Sequence, residues 1–268
     1  MLNASIVLYN PNWQQVSDLT DALLQSKHIN HIYWIDNSPI SNCPQSVDTR
    51  IKYHYNQQNI GYGTAHNIAI RESIYDNIPY HLVINPDIIL EPAALDQMLY
   101  FISSHSEIGS LMPKVIYPNG ELQYLCKLLP SPLDVFGRRF LPRKWMKHRN
   151  HNYEMRASGY DKLMNVPYLS GCFMLLRTQA AAEVRLFDER FFMYPEDMDL
   201  TRRIHRNYLT VYYPHASIIH NHEKASYKSL RMLWIHIVNM CRYFNKWGWF
   251  CDKERKLFNQ TAIDEYLK

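Results

Sequence analysis

Between Ala4 and Tyr213, short apolar runs bounded by polar turns alternate with stretches whose apolar residues recur at helical spacing. Ala4–Tyr9, His31–Ile35, Ile51–Tyr55, Leu82–Ile84, Ser110–Tyr117, Val166–Arg177 and Thr210–Tyr213 read as strands, being rich in β-branched and aromatic residues with turn formers at their ends. Val16, Leu19, Leu23 and Leu24 mark a helix from Trp13 to Ser26, and Ala65, Ile68, Ala69 and Ile74 mark one opening near Thr64. Further helices are expected over Pro92–His105, Ala180–Glu183, Asp199–Arg206 and, at length, Leu230–Phe250. Strand, helix, strand at the start forms a βαβ unit, so the sheet begins parallel with a right-handed crossover. Leu82-Val83-Ile84 has no polar residue and reads as a strand buried on both faces. Pro86 cannot donate to a ladder and ends it. Asp87 therefore stands at the carboxyl end of a central strand, where open α/β sheets place their ligands. The competing reading of Asn85-Pro86-Asp87 is a plain turn.

Composition narrows the class. The chain has 268 residues, 47% of them hydrophobic, enough for one large α/β domain or two small ones. A net charge of +4 is too weak for a dedicated nucleic-acid binder. Its five cysteines are odd in number and scattered, with no Cys-x-x-Cys pair, which argues against a disulfide framework or a zinc site and for a reducing compartment. The start, MLNASIVLYNPN, lacks the basic residues and long apolar core of a signal peptide, and no run approaches the roughly 18 apolar residues of a membrane span. A cytoplasmic protein is expected, with peripheral contact at the inner face of the cell membrane. Two stretches suit such contact. Arg138, Arg139, Arg143, Lys144, Lys147 and Arg149 interleave with Phe140, Leu141, Trp145 and Met146. The helix after Leu230 carries Trp234, Tyr243, Phe244, Trp247, Trp249 and Phe250 among Arg231, Arg242 and Lys246. A solvated loop and a helix packed across the core are the respective alternatives.

Several polar positions carry possible chemistry. Gly61 and Gly63 let the backbone approach a ligand at a helix N-terminus. Their pattern, Gly-x-Gly-x-x-His, is not the dinucleotide fingerprint, and the first βα turn has no glycine, which excludes a dehydrogenase. Ser170-Gly171 interrupts an apolar strand at a point where a side chain would clash. Glu196 and Asp197 precede the Asp199 helix, where acidic residues suit the helix dipole.

Taken in order, Asp36-Asn37-Ser38, Asn59-x-Gly61-x-Gly63-x-x-x-Asn67, Asn85-Pro86-Asp87, Ser170-Gly171, Pro195-Glu196-Asp197-x-Asp199-Leu200 and a late histidine pair form a recognisable series. Over Asn3–Ser226 the chain resembles the family 2 inverting glycosyltransferases, and most of all the rhamnosyltransferase-type enzymes of bacterial O-antigen and capsular polysaccharide synthesis. The resemblance implies an α/β GT-A fold, a Rossmann-like, mostly parallel central sheet flanked by helices. It implies a catalytic domain over residues 1–226 and a C-terminal helical extension over 227–268. It implies that Asp36 and Asn37 meet the nucleotide base and that Asn59, Gly61, Gly63 and Asn67 border the nucleotide. Asn85 and Asp87 fall on the family's Asp-x-Asp motif, with Asp87 holding Mg²⁺ or Mn²⁺ against the diphosphate. His220 or His222 completes that metal site. Asp197 matches the catalytic base, and Glu196 assists with acceptor contacts. Asn85 departs from the motif and leaves one carboxylate fewer for the metal. The implied partners are a dTDP- or UDP-sugar donor, with L-rhamnose as the sugar, and a saccharide or polyprenyl-linked acceptor. Two alternatives compete. A nucleotidyltransferase needs a glycine- and basic-rich signature after the first strand, and Asn10-Pro11-Asn12-Trp13 has neither. A nucleotide- or sugar-binding module without catalysis would have no need of both Asp87 and Asp197.

Overall fold

The computed structural model describes residues 1–44, 48–221 and 230–266, so His222, one of the two expected metal-site histidines, lies outside the described residues. The elements are β1 (Leu2–Leu8), α1 (Trp13–Leu24), β2 (Ile29–Asp36), β3 (Ile51–Tyr55), α2 (Tyr62–Tyr75), β4 (Tyr80–Ile84), β5 (Ile88–Ile89), α3 (Pro92–Ser103), β6 (Ile108–Ile116) and β7 (Cys126–Lys127). There follow α4 (Arg138–Phe140), α5 (Arg143–Tyr153), β8 (Met164–Asn165), β9 (Tyr168–Leu169), β10 (Phe173–Arg177), α6 (Thr178–Glu183), α7 (Glu196–Ile204), β11 (Leu209–His220), α8 (Leu230–Trp247) and α9 (Lys253–Tyr266).

Among the described residues one mixed sheet runs β3-β2-β1-β4-β10-β6-β11-β5, with β8 beside β11, and β7 pairs with β9 separately. The first four strands are parallel, as are β6 and β11. β4 is buried at every position. Side chains alternate across a strand, so Leu82 and Ile84 enter the core under α1 and α3, while Val83 enters the second core with Ile70, Met174 and Leu200. Both faces of β4 are covered, as the unbroken apolar run requires.

β10 differs from the single strand expected over Val166–Arg177. The run breaks at Ser170-Gly171, and its second half lies antiparallel between β4 and β6. The Asn85 N–H donates to the Cys172 carbonyl at 2.9 Å. Reversal of this one strand brings the Ser170-Gly171 turn to the edge where β4 ends. Helix α7 begins earlier than its apolar spacing suggests, at Glu196, and so takes Glu196 and Asp197 into its first turn.

The last two helices pack on α7. Tyr243 and Phe244 of α8 join Phe191 and Met198 in one cluster, so the second half of α8 is core and not an interfacial surface. Arg202 of α7, 1% exposed, makes two 2.7 Å bonds to the Asp252 carboxylate and one to Glu254, with Trp247 against its guanidinium plane. A buried cation stripped of one such partner keeps its desolvation cost. Asp252→Ala is therefore expected to lower the unfolding free energy in urea by about 3 kcal/mol. A loss under about 1 kcal/mol would show that α9 is not held by this pair.

Candidate active site

Glu196, Asp197 and Asp199 all fall in the first turn of α7, and all three are buried. Asp197 Oδ2 accepts the Gly171 N–H at 2.7 Å, and its Oδ1 accepts the Met198 N–H at 2.7 Å. A β-carbon on Gly171 would lie 2.9 Å from Asp197 Cβ, so this position must be glycine for the carboxylate to reach the turn. Burial pushes the Asp197 pKa up, and the bonds from Gly171 and Met198 with the charge of Lys127 bring it back to about 6. Glu196 Oε2 is buried without a hydrogen-bond partner. Burial and the neighbouring Asp197 push its pKa well above the ordinary carboxylate value. Burial and their mutual repulsion thus raise both carboxyls, Glu196 without the two amide bonds that hold Asp197 down. Tyr194, at φ 91°, turns the chain into this helix. Asp199 points elsewhere and accepts bonds from Arg203, Lys246 and Trp247 at 2.6 to 2.8 Å.

The second group lies at the carboxyl end of β4. Asp87 Oδ1 is 3.4 Å from His220 Nε2. His220 Nδ1 is 3.0 Å from Gln123 Oε1, and Gln123 Nε2 donates to the His220 carbonyl at 2.8 Å, which aims Nε2 at Asp87. Burial pushes His220 down, but the neighbouring Asp87 carboxylate and Cys172 outweigh it and raise the pKa to about 10. A carboxylate oxygen and an imidazole nitrogen on one spot are a donor set that Mn²⁺ accepts readily and Mg²⁺ less so. A cation there would displace the proton on Nε2. No group of three or more His, Cys, Asp or Glu suited to a metal occurs among the described residues. The remaining ligands would have to come from substrate oxygens and water.

Tyr62 joins the two groups. Its hydroxyl lies 2.8 Å from both Asn85 Oδ1 and the Gly171 carbonyl. Tyr62 is the unremarked residue between the two glycines of the loop, and only the fold reveals it as the bridge. Lys127 is a second residue with no sequence signal. It sits on β7 opposite Tyr168, and its ammonium lies 5.1 Å from that ring.

Several residues expected at the nucleotide make contacts within the protein. Asn67 brackets the Phe187 backbone, its side chain accepting from the Phe187 N–H at 3.0 Å and donating to the Phe187 carbonyl at 2.9 Å. Gly63 is glycine because a β-carbon would strike Phe187 Cβ at 2.8 Å, and Gly61, at φ 95°, would strike the Phe192 carbonyl at 2.7 Å. Both glycines admit the 187–192 segment. Asp36 is fully buried, accepting from Ser38 N at 2.8 Å and Tyr53 OH at 2.7 Å, so it shapes the turn from within. Tyr53 carries the polar surface outward to Ser41. Asn37 donates weakly to Asn59 and to the Gly61 carbonyl, and Asn59 accepts the Gly61 N–H at 3.0 Å. Because Asn67 is buried and doubly bonded, Asn67→Ala should cost about 2 kcal/mol in urea unfolding. Nucleotide affinity of the folded variant, measured calorimetrically, should stay within about twofold, since 1.4 kcal/mol separates each tenfold step. A large affinity loss with native stability would place Asn67 at the nucleotide.

No family model matches the chain. Over 229 residues it is 28% identical to N-acetylglucosaminyl-diphospho-decaprenol L-rhamnosyltransferase of Mycobacterium tuberculosis, covering 80% of this chain and 74% of that protein. The fold superposes on GalNAc-T7 solved with UDP, GalNAc and Mn²⁺, with a TM-score of 0.61 and 13% identity. That match covers 82% of this chain but only 43% of GalNAc-T7. The mannosyltransferase PcManGT of Pyrobaculum calidifontis, solved with GDP-Man and Mn²⁺, matches with a TM-score of 0.57 and 11% identity over 98% of this chain and 74% of its own. At these identities the structural likeness speaks for the fold alone. The chain thus has the GT-A fold of solved glycosyltransferases and is similar in sequence to a rhamnosyltransferase.

Proposed function

We propose that the chain transfers L-rhamnose from a dTDP-linked donor to an N-acetylglucosamine carried on a polyprenyl diphosphate, in the synthesis of a cell-surface polysaccharide. The observation that carries this reading is the buried Asp197, bonded to the Gly171 N–H, on the same sheet edge as Asp87 and His220 and joined to them through Tyr62. The acceptor and sugar are taken from the rhamnosyltransferase relative.

Asp197, ionised near neutral pH, takes the proton of the acceptor hydroxyl as that oxygen attacks the anomeric carbon. The bond from the anomeric carbon to the donor phosphate oxygen breaks in the same displacement, and the nucleoside diphosphate leaves. The Gly171 and Met198 amides fix the carboxylate so that its free lone pairs face the acceptor. Glu196, held neutral by burial, serves as a hydrogen-bond partner for the acceptor without repelling Asp197. Asp87 and His220 would hold a divalent cation, Mn²⁺ or Mg²⁺, that neutralises the charge of the diphosphate. Asn37 and Asn59 line the nucleotide side.

We further propose peripheral contact with an anionic membrane. No helix is long and apolar enough to cross one among the described residues. Phe140 and Trp145, with Leu230 and Trp234 at the start of α8, expose large apolar side chains on the two segments that flank one cavity. Lys144 and Lys147 accompany them on α5. Such a surface buries rings at a headgroup boundary while its cations meet anionic lipid.

Asp197→Asn should leave dTDP binding intact and reduce kcat by about a thousandfold. Retention of most activity would remove the base assignment. The base works only when deprotonated, so kcat/KM should be constant above the Asp197 pKa and fall as pH drops through about 6. A profile flat down to pH 5 would contradict this. In vesicle co-sedimentation at low salt, the chain should bind anionic vesicles and ignore neutral ones, and Trp145→Glu should weaken the binding severalfold. Equal recovery with both vesicle types, or none with either, would refute membrane contact.

A further inference from the structure

Beyond Asp197, away from Asp87 and His220, a cavity of about 190 Å³ opens between β7, β9, the α4 region and α8. Met198, the residue next to the base, lines it, and so do Lys127, Arg138 and Arg139. The strand facing Lys127 runs directly into the Ser170-Gly171 turn that holds Asp197. The cavity thus lies one residue along α7 from Asp197 and shares no lining residue with the Asn85-Asp87-His220 group.

Its charge is unbalanced. Asp134 is the one carboxylate among its lining residues, and Arg149 occupies it with bonds of 2.5 and 3.1 Å while Ser131 donates to it at 2.6 and 2.7 Å. Glu154, near the rim, is taken up by Arg156 at 2.6 Å and stands 3.7 Å from Arg138. Lys127 has no carboxylate within 4.0 Å among the described residues; the face of Tyr168 is its contact. Arg138 lies over the Tyr153 ring in the same way. Burial, and then the charge of Arg138, hold the Lys127 ammonium below its usual pKa, while the carboxylates of Asp197 and Glu154 act on it in the opposite direction. The lining thus holds three cationic side chains to one carboxylate, between aromatic walls and next to Asp197 along α7, a setting that suits an anionic group.

We propose that this cavity is an anion site that receives a phosphate or diphosphate group of the acceptor, with Lys127 and Arg138 as its ligands. The inference rests on the proposed acceptor-side reading of Asp197 and assigns the acceptor's charge a place in the chain. Recognition there would select acceptors by their anionic group, because a desolvated ammonium and guanidinium bind phosphate oxygens strongly and offer little to a neutral glycoside.

The test uses the full chain and inorganic pyrophosphate as the probe, titrated calorimetrically with dTDP present to fill the donor side. Wild type should bind pyrophosphate, and Lys127→Gln and Arg138→Gln should each weaken it tenfold or more while binding dTDP normally. Urea midpoints confirm that each variant is folded, and either variant alone suffices if the other is not. No binding by wild type, or binding within twofold in the folded variants, would overturn the site. In transfer assays, pyrophosphate should compete with a short-chain prenyl-diphosphate N-acetylglucosamine acceptor and not with the nucleotide sugar. The ratio of kcat/KM for that acceptor over octyl N-acetylglucosaminide should fall tenfold or more in either variant. Competition with the donor alone would place the anion on the nucleotide side and refute the proposal. Loss of pyrophosphate binding in the variants, in a chain that glycosylates neither acceptor, would leave the anion site standing and remove the proposed reaction.

Discussion

Three carboxylates buried within the first turn of one helix set the terms for the rest of this structure. Like charges that close, away from water, cannot all stay ionised without separate compensation. Each is settled by a different part of the chain. Asp199 is surrounded by Arg203 and by Lys246 and Trp247 of α8. Asp197 is met by two backbone amides, one of them from the Gly171 turn. Glu196 Oε2 is left without a partner, and burial beside Asp197 pushes its carboxyl pKa well above the ordinary value. The C-terminal helices are therefore part of how the helix carrying Asp197 is held: α8 fixes Asp199, and α9 with the preceding Asp252 fixes Arg202 on the same helix.

The mixed sheet explains how the two halves of the site meet. Parallel strands β1 to β4 deliver their carboxyl ends to one edge, where Asn37, Asn85 and Asp87 collect. The antiparallel β10 begins at that edge instead of ending there, so the turn before it, Ser170-Gly171, supplies the seat for Asp197. Tyr62 then spans the gap, with its hydroxyl on Asn85 and on the Gly171 carbonyl. A nucleotide on the first half and an acceptor on the second would face each other across this hydroxyl.

Much of this is legible in the residues and some of it is not. The run Leu82-Val83-Ile84 announces a strand covered on both faces because nothing in it can face water. The run Val166–Arg177 looks the same whichever way it points, so the reversal of β10 has no local signature; its Gly171 does, since only a close neighbour makes glycine necessary there, and the neighbour is Asp197. Polar residues are the hardest to read. Asn67 and Asp36 spend their hydrogen bonds inside the protein, on Phe187 and on the Ser38–Tyr53 pair, and spacing cannot separate such internal use from a ligand contact. Lys127 lies in an irregular stretch far from every motif, and only the β7–β9 pairing carries it to the base.

The central claim is a single displacement with Asp197 as base and not as nucleophile. Proton NMR of the product formed from an anomerically pure nucleotide sugar reads this directly through the anomeric coupling constant. The expected product has the anomeric configuration opposite to that of the donor. Retention would mean two displacements and a covalent or ion-paired intermediate, and would contradict Asp197 as the base of a direct attack.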